Sequence, residues 1–391
     1  MKKIIYIWLV KFFSKIYQTK SPDKIVYVMS FSGNYQFIHK LARTTQKYNT
    51  ELVVLYLKNC EPEALRLKQE GIEIHRFSNN LKFLVDILPI IMKARLLICD
   101  NYFAFLSGIK FNHQLTHIVQ IWHANGAIKS FGWDEPKTFL RSKSDQKRFQ
   151  KVYNQFDEFI VGSRKMGEVF EKSYHVSASK ISVIGYPRTD ELFNYQEQQH
   201  KINEIYQKYP ELKDKEVLLY APTYRENENG VPELNLPNDF SKIFDYLNDN
   251  QRIIIKLHPH LKEVQNQLKT KIQNPHLVWV DDFSTNDLLF ITDRLITDYS
   301  SVIFDYSLLK NSKQIIFYCY DYDEYSETVG IQKDFKEWIP GPFVTKTDEL
   351  INILEKPIVL NNFRHFNEEW NTKNDGNATQ RVLQHESEFI N

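Results

Sequence analysis

The sequence predicts an α/β protein of two doubly wound domains, and three observations lead there. From residue 25 onward, short apolar β-branched runs alternate with longer helical patterns, which is the rhythm of parallel sheets covered by helices on both faces. The 391 residues exceed one domain of roughly 100 to 200 residues. The runs also fall into two series, separated by a polar stretch over 195–215 rich in Gln, Lys and Glu.

Taken in order, residues 1–24 carry Lys2, Lys3, Lys11, Lys15, Lys20 and Lys24 against the single acid Asp23, six against one and hence +5. The unbroken apolar run Ile4–Val10 is shorter than the roughly 20 residues of a spanning helix. Lys11-Phe12-Phe13 follows where a signal peptide would carry small residues for cleavage. Two readings remain: a basic amphipathic helix, with Trp8, Phe12, Phe13 and Tyr17, lying in an anionic membrane interface, or a terminal helix packed on the body. The first series of strands is expected at Ile25–Phe31, Leu52–Leu57, Ile72–Phe77, Leu96–Asp100, Ile118–Trp122, Glu158–Gly162 and Ile181–Gly185. A helix plus linker over Tyr195–Lys215 leads to the second series, at Val217–Ala221, Arg252–Leu257, Leu277–Val280, Leu295–Asp298 and Gln314–Tyr318. The polar segment Phe363–Asn391 is expected to close back as a helix. The domains thus divide as 1–24, 25–200 and 201–391.

Composition removes several classes. With 50 Lys+Arg against 49 Asp+Glu the net charge is +1, so the chain has no global field for a polyanion and no dense basic patch with interleaved aromatics; nucleic acid is not an expected partner. Setting the +5 arm aside leaves a mildly acidic body of −4, so anionic ligands must be held by local cations. Cys60, Cys99 and Cys319 are odd in number and far apart, outside any CxxC pair, which fits a reducing cytoplasm and neither a disulfide framework nor a zinc site. GxxxxGK[ST] and GxGxxG loops are missing from the sequence, against P-loop NTPases and dinucleotide dehydrogenases. Asp281-Asp282 and Asp321-Tyr-Asp-Glu324 read as solvated loops rather than metal sites, and no metal or organic cofactor is expected.

In doubly wound sheets ligands bind beyond the carboxyl ends of the strands, and four polar clusters follow strands. In Gln120–Gly132, His123 has the pKa to take a proton from a hydroxyl, Gly126 permits close backbone approach and Lys129 could hold an anion; alternatively His123 bonds a loop carbonyl. In Tyr220–Arg225, Thr223 offers a hydroxyl and Arg225 a five-donor fork suited to phosphate, unless Arg225 pairs with Glu226 or Glu228 at the surface. In Lys256–His260, Lys256 and His258 should point to the same sheet face, with Pro259 ending the strand, as a clamp for a pyrophosphate. In Thr297–Tyr306, Asp298 closes a buried strand and Ser300 or Ser301 caps a helix over Val302–Leu309, presenting free N–H groups to an anion. Asp305, one turn on, could accept hydroxyls of a ribose or polyol; a cap without ligand is the alternative. Three anion-binding strand ends in the second domain and one histidine-bearing strand end in the first suit a transferase with its nucleotide donor on the second domain.

The segments WHANGAIKSFG, VGSRKMGEVF, IGYPRTDELF, APTYRENE, IKLHPH and ITDYSSVIFDYSLL occur in the order seen in the CDP-glycerol glycerophosphotransferases of wall teichoic acid synthesis, and the chain resembles that family from about Leu96 to Tyr325. The resemblance implies a GT-B fold with an active-site cleft between the domains, CDP-glycerol as substrate and work at the cytoplasmic face of the cell membrane as a peripheral protein. The short chain, the segment LLICDNYFAFLSG and Ala124, where many polymerases have Gly, resemble the primase branch, which adds the first glycerol phosphate to undecaprenyl-diphosphate-linked ManNAc-GlcNAc. It further implies His123 as the general base, His258 holding or protonating the diphosphate, and Arg225, Ser300 and Ser301 neutralising transition-state charge, with Asp305 on a donor hydroxyl. Lys256 and Thr223 are secondary. A polymerase or ribitol-phosphate transferase of the same family, a GT-B glycosyltransferase using a sugar nucleotide, and a catalytically silent scaffold are the other readings; an oligomer is possible.

Overall fold

The computed structural model describes residues 2–227, 231–258 and 261–391. Glu228, Pro259 and His260, named above, lie outside the described residues. Two compact units emerge: 1–125 with 131–191 and 369–391, and 126–130 with 192–368. The second unit's main stretch therefore begins at Leu192 rather than residue 201, the short segment 126–130 joins it, and the last stretch, 369–391, packs with the first unit.

In the first unit, strands β1 (Lys24–Met29), β2 (Glu51–Tyr56), β3 (Glu73–Arg76), β4 (Ala94–Cys99), β5 (His117–Gln120), β6 (Glu158–Val161) and β7 (Ile181–Val183) form one sheet in the order 3-2-1-4-5-6-7. Every pairing in it is parallel. The second unit has β8 (Glu216–Tyr220), β11 (Gln251–Ile255), β12 (Leu277–Val278), β13 (Arg294–Thr297), β14 (Gln314–Tyr318) and β15 (Phe343–Val344) in the order 12-11-8-13-14-15. Counted within the unit this is again 3-2-1-4-5-6, the doubly wound order. A small antiparallel hairpin, β9 (Arg225–Glu226) with β10 (Pro232–Glu233), stands apart. The apolar runs are strands because both faces are covered: Ile25, Tyr27, Val54 and Ile98 lie in one core and Leu218, Ile253, Ile296 and Ile316 in the other, all almost wholly buried. Cys60, Cys99 and Cys319 are buried free thiols, behaving as small core hydrophobes.

All twelve expected strands are present, most ending one or two residues earlier than the apolar runs suggest, because the chain turns into polar loops at the carboxyl edge. The hairpin and β15 went unanticipated; two-residue ladders leave no period to detect. The expected helix over Val302–Leu309 is shorter, Val302–Tyr306. The closing segment is three short helices, Arg364–Trp370, Ala378–His385 and Ser387–Ile390, rather than one.

The N-terminal helix, α1 (Lys2–Ile16), packs one face on the body, as the second of the two sequence readings expects, and leaves the other exposed. Val10 and Ser14 are fully buried, and Gly108 approaches so closely that a Cβ there would lie 2.8 Å from the Ile7 carbonyl oxygen. The other face leaves Ile4, Ile5, Trp8 (61%), Phe12 and Ile16 exposed beside Lys11 and Lys15. The turn Ala104–Gly108 that receives α1 also receives the helix Lys143–Tyr153. Just before that helix, Phe139 and Leu140 (86%) are exposed amid Lys137, Arg141 and Lys143. No helix of the described residues is long and apolar enough to cross a membrane.

Candidate active site

In each unit the chain reverses winding between a central strand and the fourth strand, β1/β4 and β8/β13, and the polar clusters gather at those switch points.

In the first unit, Asp100 follows β4. Its buried carboxylate accepts from Ser30 N (2.7 Å), Phe31 N (2.8 Å) and Ser30 Oγ (2.8 Å), pinning the loop after β1. Burial pushes the carboxyl up to about 7 against the pull of these donors. The Asp100 backbone oxygen lies 3.1 Å from His123 Nδ1. A carbonyl only accepts, so Nδ1 carries the proton and Nε2 keeps its lone pair. Phe31 stacks on the imidazole at 3.9 Å and Trp122 lies at 4.2 Å. Trp122 adopts φ +51°, costly for a bulky residue and a strain of the kind held at functional sites. Burial, with the Arg188 charge adding to it, lowers the His123 pKa to about 4, so the ring is a neutral base at pH 7. Arg188 donates from Nη1 to Asn125 Oδ1 (2.7 Å). His123 thus bonds a loop carbonyl, the alternative the sequence left open, and that bond leaves Nε2 without a proton.

In the second unit, Asp298 follows β13 and does for the loop after β8 what Asp100 does for the loop after β1. It accepts from Thr223 N (2.8 Å), Thr223 Oγ1 (3.1 Å), Tyr299 N (2.7 Å) and Arg225 Nη2 (3.0 Å). Arg225 spends the rest of its fork equally close to home. Nε and Nη2 donate to the Asp321 carboxylate (2.6 and 2.9 Å), and Nη1 donates to Thr223 O and Oγ1 (2.8 and 2.7 Å). All five N–H groups are thereby engaged, and the guanidinium lies 4.6 Å from the Tyr325 ring centroid. Arg225 is thus neither an open phosphate fork nor a surface partner of Glu226; it ties β8, β13 and β14 together. Asp321, read from sequence as solvated, is the missing half of this pair.

Lys129 belongs to the same unit through the segment 126–130, which pairs with Ile331. Its ammonium lies 5.6 Å from the Tyr224 ring and 5.9 Å from that of Tyr325, and among the described residues no carboxylate pairs with it. Burial lowers its pKa to about 8, with Asp298 pulling the other way. His258 packs its ring 5.0 Å from the other edge of this group, Tyr224. Lys256 does not join it. Its Nζ donates to Val280 O (3.0 Å), after β12, whereas the His258 ring packs on Tyr224, after β8, so the two side chains that the sequence places on one sheet face meet different neighbours of β11.

The Ser-rich turn also departs from expectation. The Ser301 side chain caps nothing; Ser300 Oγ accepts from Val302 N at 3.3 Å instead. With five helical residues, the dipole contribution here is small, so an anion would be met by hydroxyls. Asp305 is 5% exposed in that helix. Gly126 is close-packed for a different reason than ligand access: a Cβ there would fall 2.5 Å from the Phe304 ring.

The model of the CDP-glycerol:poly(glycerophosphate) glycerophosphotransferase family matches residues 10–385. The teichoic acid glycerol-phosphate primase of Bacillus subtilis (strain 168) is 31% identical over 93% of this chain and 91% of its own. The teichoic acid ribitol-phosphate primase of Bacillus spizizenii is 31% identical over 76% of each. Among solved structures, the wall teichoic acid polymerase TagF superposes with a TM-score of 0.72 at 22% identity, covering 100% of this chain and 95% of that one, a likeness of fold that makes the two doubly wound units GT-B-like. Matched along nearly its whole length, the chain belongs to the CDP-glycerol:poly(glycerophosphate) glycerophosphotransferase family and is a transferase of that class.

Proposed function

We propose that this enzyme is a teichoic acid glycerol-phosphate primase, moving glycerol phosphate from CDP-glycerol to the ManNAc hydroxyl of undecaprenyl-diphosphate-linked ManNAc-GlcNAc. The observation that carries the reading is the 31% identity to a glycerol-phosphate primase over almost the full length of both chains. His123 Nε2 takes the acceptor hydroxyl proton, the oxygen attacks the β-phosphorus, the phosphoanhydride bond breaks, and CMP leaves with the electron pair. His258, Lys129, Ser300 and Ser301 meet the diphosphate, and Asp305 a donor hydroxyl. Thr223, Arg225, Asp298 and Asp321 act as positioning residues beneath them. Such transfer asks for placement and charge rather than covalent chemistry. The ribitol-phosphate primase relative at equal identity supports a CDP-ribitol donor as the second reading. With a lipid-linked disaccharide analogue, the expected result is CMP release from CDP-glycerol and a product one or two units long. Long chains would instead identify a polymerase, and faster turnover of CDP-ribitol a ribitol-phosphate transferase.

A polyprenyl acceptor lies in the bilayer, and we assign contact with the anionic cytoplasmic face to the exposed side of α1 and to Phe139-Leu140, each flanked by lysines or arginines. Burying two large apolar side chains supplies about 3 kcal/mol or more. The double variant Trp8→Glu/Phe12→Glu should therefore lose about 100-fold in affinity for phosphatidylglycerol vesicles by sedimentation. Undiminished binding would move the contact elsewhere.

A further inference from the structure

The amino-terminal end of the first sheet holds a second polar centre that glycerophosphate transfer does not use. His117 opens β5 and Glu158 opens β6, so both stand at the amino ends of their strands, opposite to the end that carries His123. Glu386 joins them from between the helices Ala378–His385 and Ser387–Ile390. His117 Nε2 lies 3.2 Å from Glu158 Oε2 and 3.7 Å from Glu386 Oε2, and one donor atom from each residue falls within 4.8 Å of the others. Glu386 is 1% exposed, yet neither of its carboxylate oxygens meets a hydrogen-bond donor among the described residues. A second buried carboxylate beside it compounds the cost, since a buried charge needs a partner.

We propose that His117, Glu158 and Glu386 bind a divalent transition-metal ion, zinc or manganese, that fastens the chain's end to the first sheet. One imidazole and two carboxylates form a borderline donor set suited to these ions. Zinc ligands at about 2.0–2.1 Å in tetrahedral array sit roughly 3.3 Å from one another, and the two distances to His117 bracket that value. The surroundings fit as well. The imidazole is fixed by stacking on Phe389 at 4.4 Å and 4°, and its Nδ1 lies 4.0 Å from Asp157 Oδ2, near enough for a charge contact but not a hydrogen bond, on a carboxylate that His113 Nδ1 also engages at 2.8 Å. Asp157 is itself held by Ile118 N at 2.9 Å. His385 Nε2, 2.7 Å from Glu158 Oε1, either orients that carboxylate or supplies a fourth ligand. Sequence reading found no metal site because 117, 158 and 386 share no local spacing; only the return of the chain's end brings them together.

The rival occupant is a proton shared by the two carboxylates. The full chain, stripped with EDTA and dialysed, would be titrated with Zn²⁺ and with Mn²⁺ by calorimetry and by thermal melting. One ion per chain at a micromolar or tighter Kd, with a rise in Tm, is expected. Glu386→Gln and His117→Gln should each weaken that binding at least tenfold and remove the metal-dependent rise. Glu386→Gln also removes the carboxylate repulsion, so its metal-free Tm should match or exceed that of the parent. Failure of the parent to bind either ion below about 100 μM, or binding unchanged in both variants, overturns the proposal in favour of the shared proton.

Discussion

Replacing His123 by asparagine should lower kcat for CMP release by about 1,000-fold, within the range general-base catalysis supplies, while Tm and the KM for CDP-glycerol hold to roughly twofold. Asparagine is the informative choice. Its amide can still donate to the Asp100 carbonyl, which takes the Nδ1 proton in the parent, so the loop survives while the free basic nitrogen is lost. If kcat survived, His123 would be structural and the proposed mechanism would fall; if Tm fell with kcat, the loop rather than the base would be responsible. A pH profile gives a second measure, because kcat/KM follows the free enzyme. It should rise as pH climbs through about 4, where His123 loses its proton, and decline as pH climbs past about 8, where Lys129 loses its charge. Lys129→Arg, which cannot deprotonate in this range, should erase the alkaline limb. The stability linkage of His123 runs with the acid side. A depressed histidine pKa means the unfolded chain takes up a proton, near pH 6.5, that the folded chain refuses, so this contribution erodes as pH falls from about 6.5 toward 4.

His123 was legible because it stands at the end of an apolar strand, and strand ends are where open sheets bind ligands. What sets its tautomer was not, because Asp100 reaches it through a backbone oxygen, to which any residue type would contribute. Asp100 nevertheless carried a signal that was passed over: it closes a buried strand just as Asp298 does, and both turn out to pin the loop of the neighbouring strand. Arg225 is legible as a site residue, but its partners are not: the fork goes to Thr223, Asp298 and Asp321 rather than standing open for a phosphate. Its five donors can grip a phosphate or a set of protein carboxylates equally well, and the choice depends on Asp321, 96 positions further along the chain. Short apolar runs fixed the twelve strands, since burial on two faces demands them. Helix lengths at the chain's end and at the Ser-rich turn depend on tertiary contacts, and these were overestimated.

The assignment of Arg225 and Asp298 to a buried frame carries the largest expected effect on stability. Asp298→Ala leaves Thr223 N, Tyr299 N and one Arg225 N–H without their acceptor in a site where Asp298 is 1% exposed. Removing one partner from a buried pair costs about 3–5 kcal/mol, which for a unit of this size lowers Tm by about 10 °C. Arg225→Met should cost less than the sum of its parts when combined with Asp298→Ala, because the first change has already released the charge that the second would strand. The cycle therefore separates a frame from a ligand contact. A frame gives a large Tm loss for Asp298→Ala, strong coupling to Arg225, and a fall in kcat, which saturating CDP-glycerol does not restore. A carboxylate that touched the donor directly would leave Tm within about 1 °C and the two changes additive, with the damage confined to KM. That second pattern would return Arg225 to the diphosphate and require Asp321 to let it go on binding. The two carboxylates already engaging the guanidinium argue against this, because opening the fork would leave buried Asp298 and partly buried Asp321 uncompensated beside an arriving anion, with Lys129 as the cation best placed to offset them.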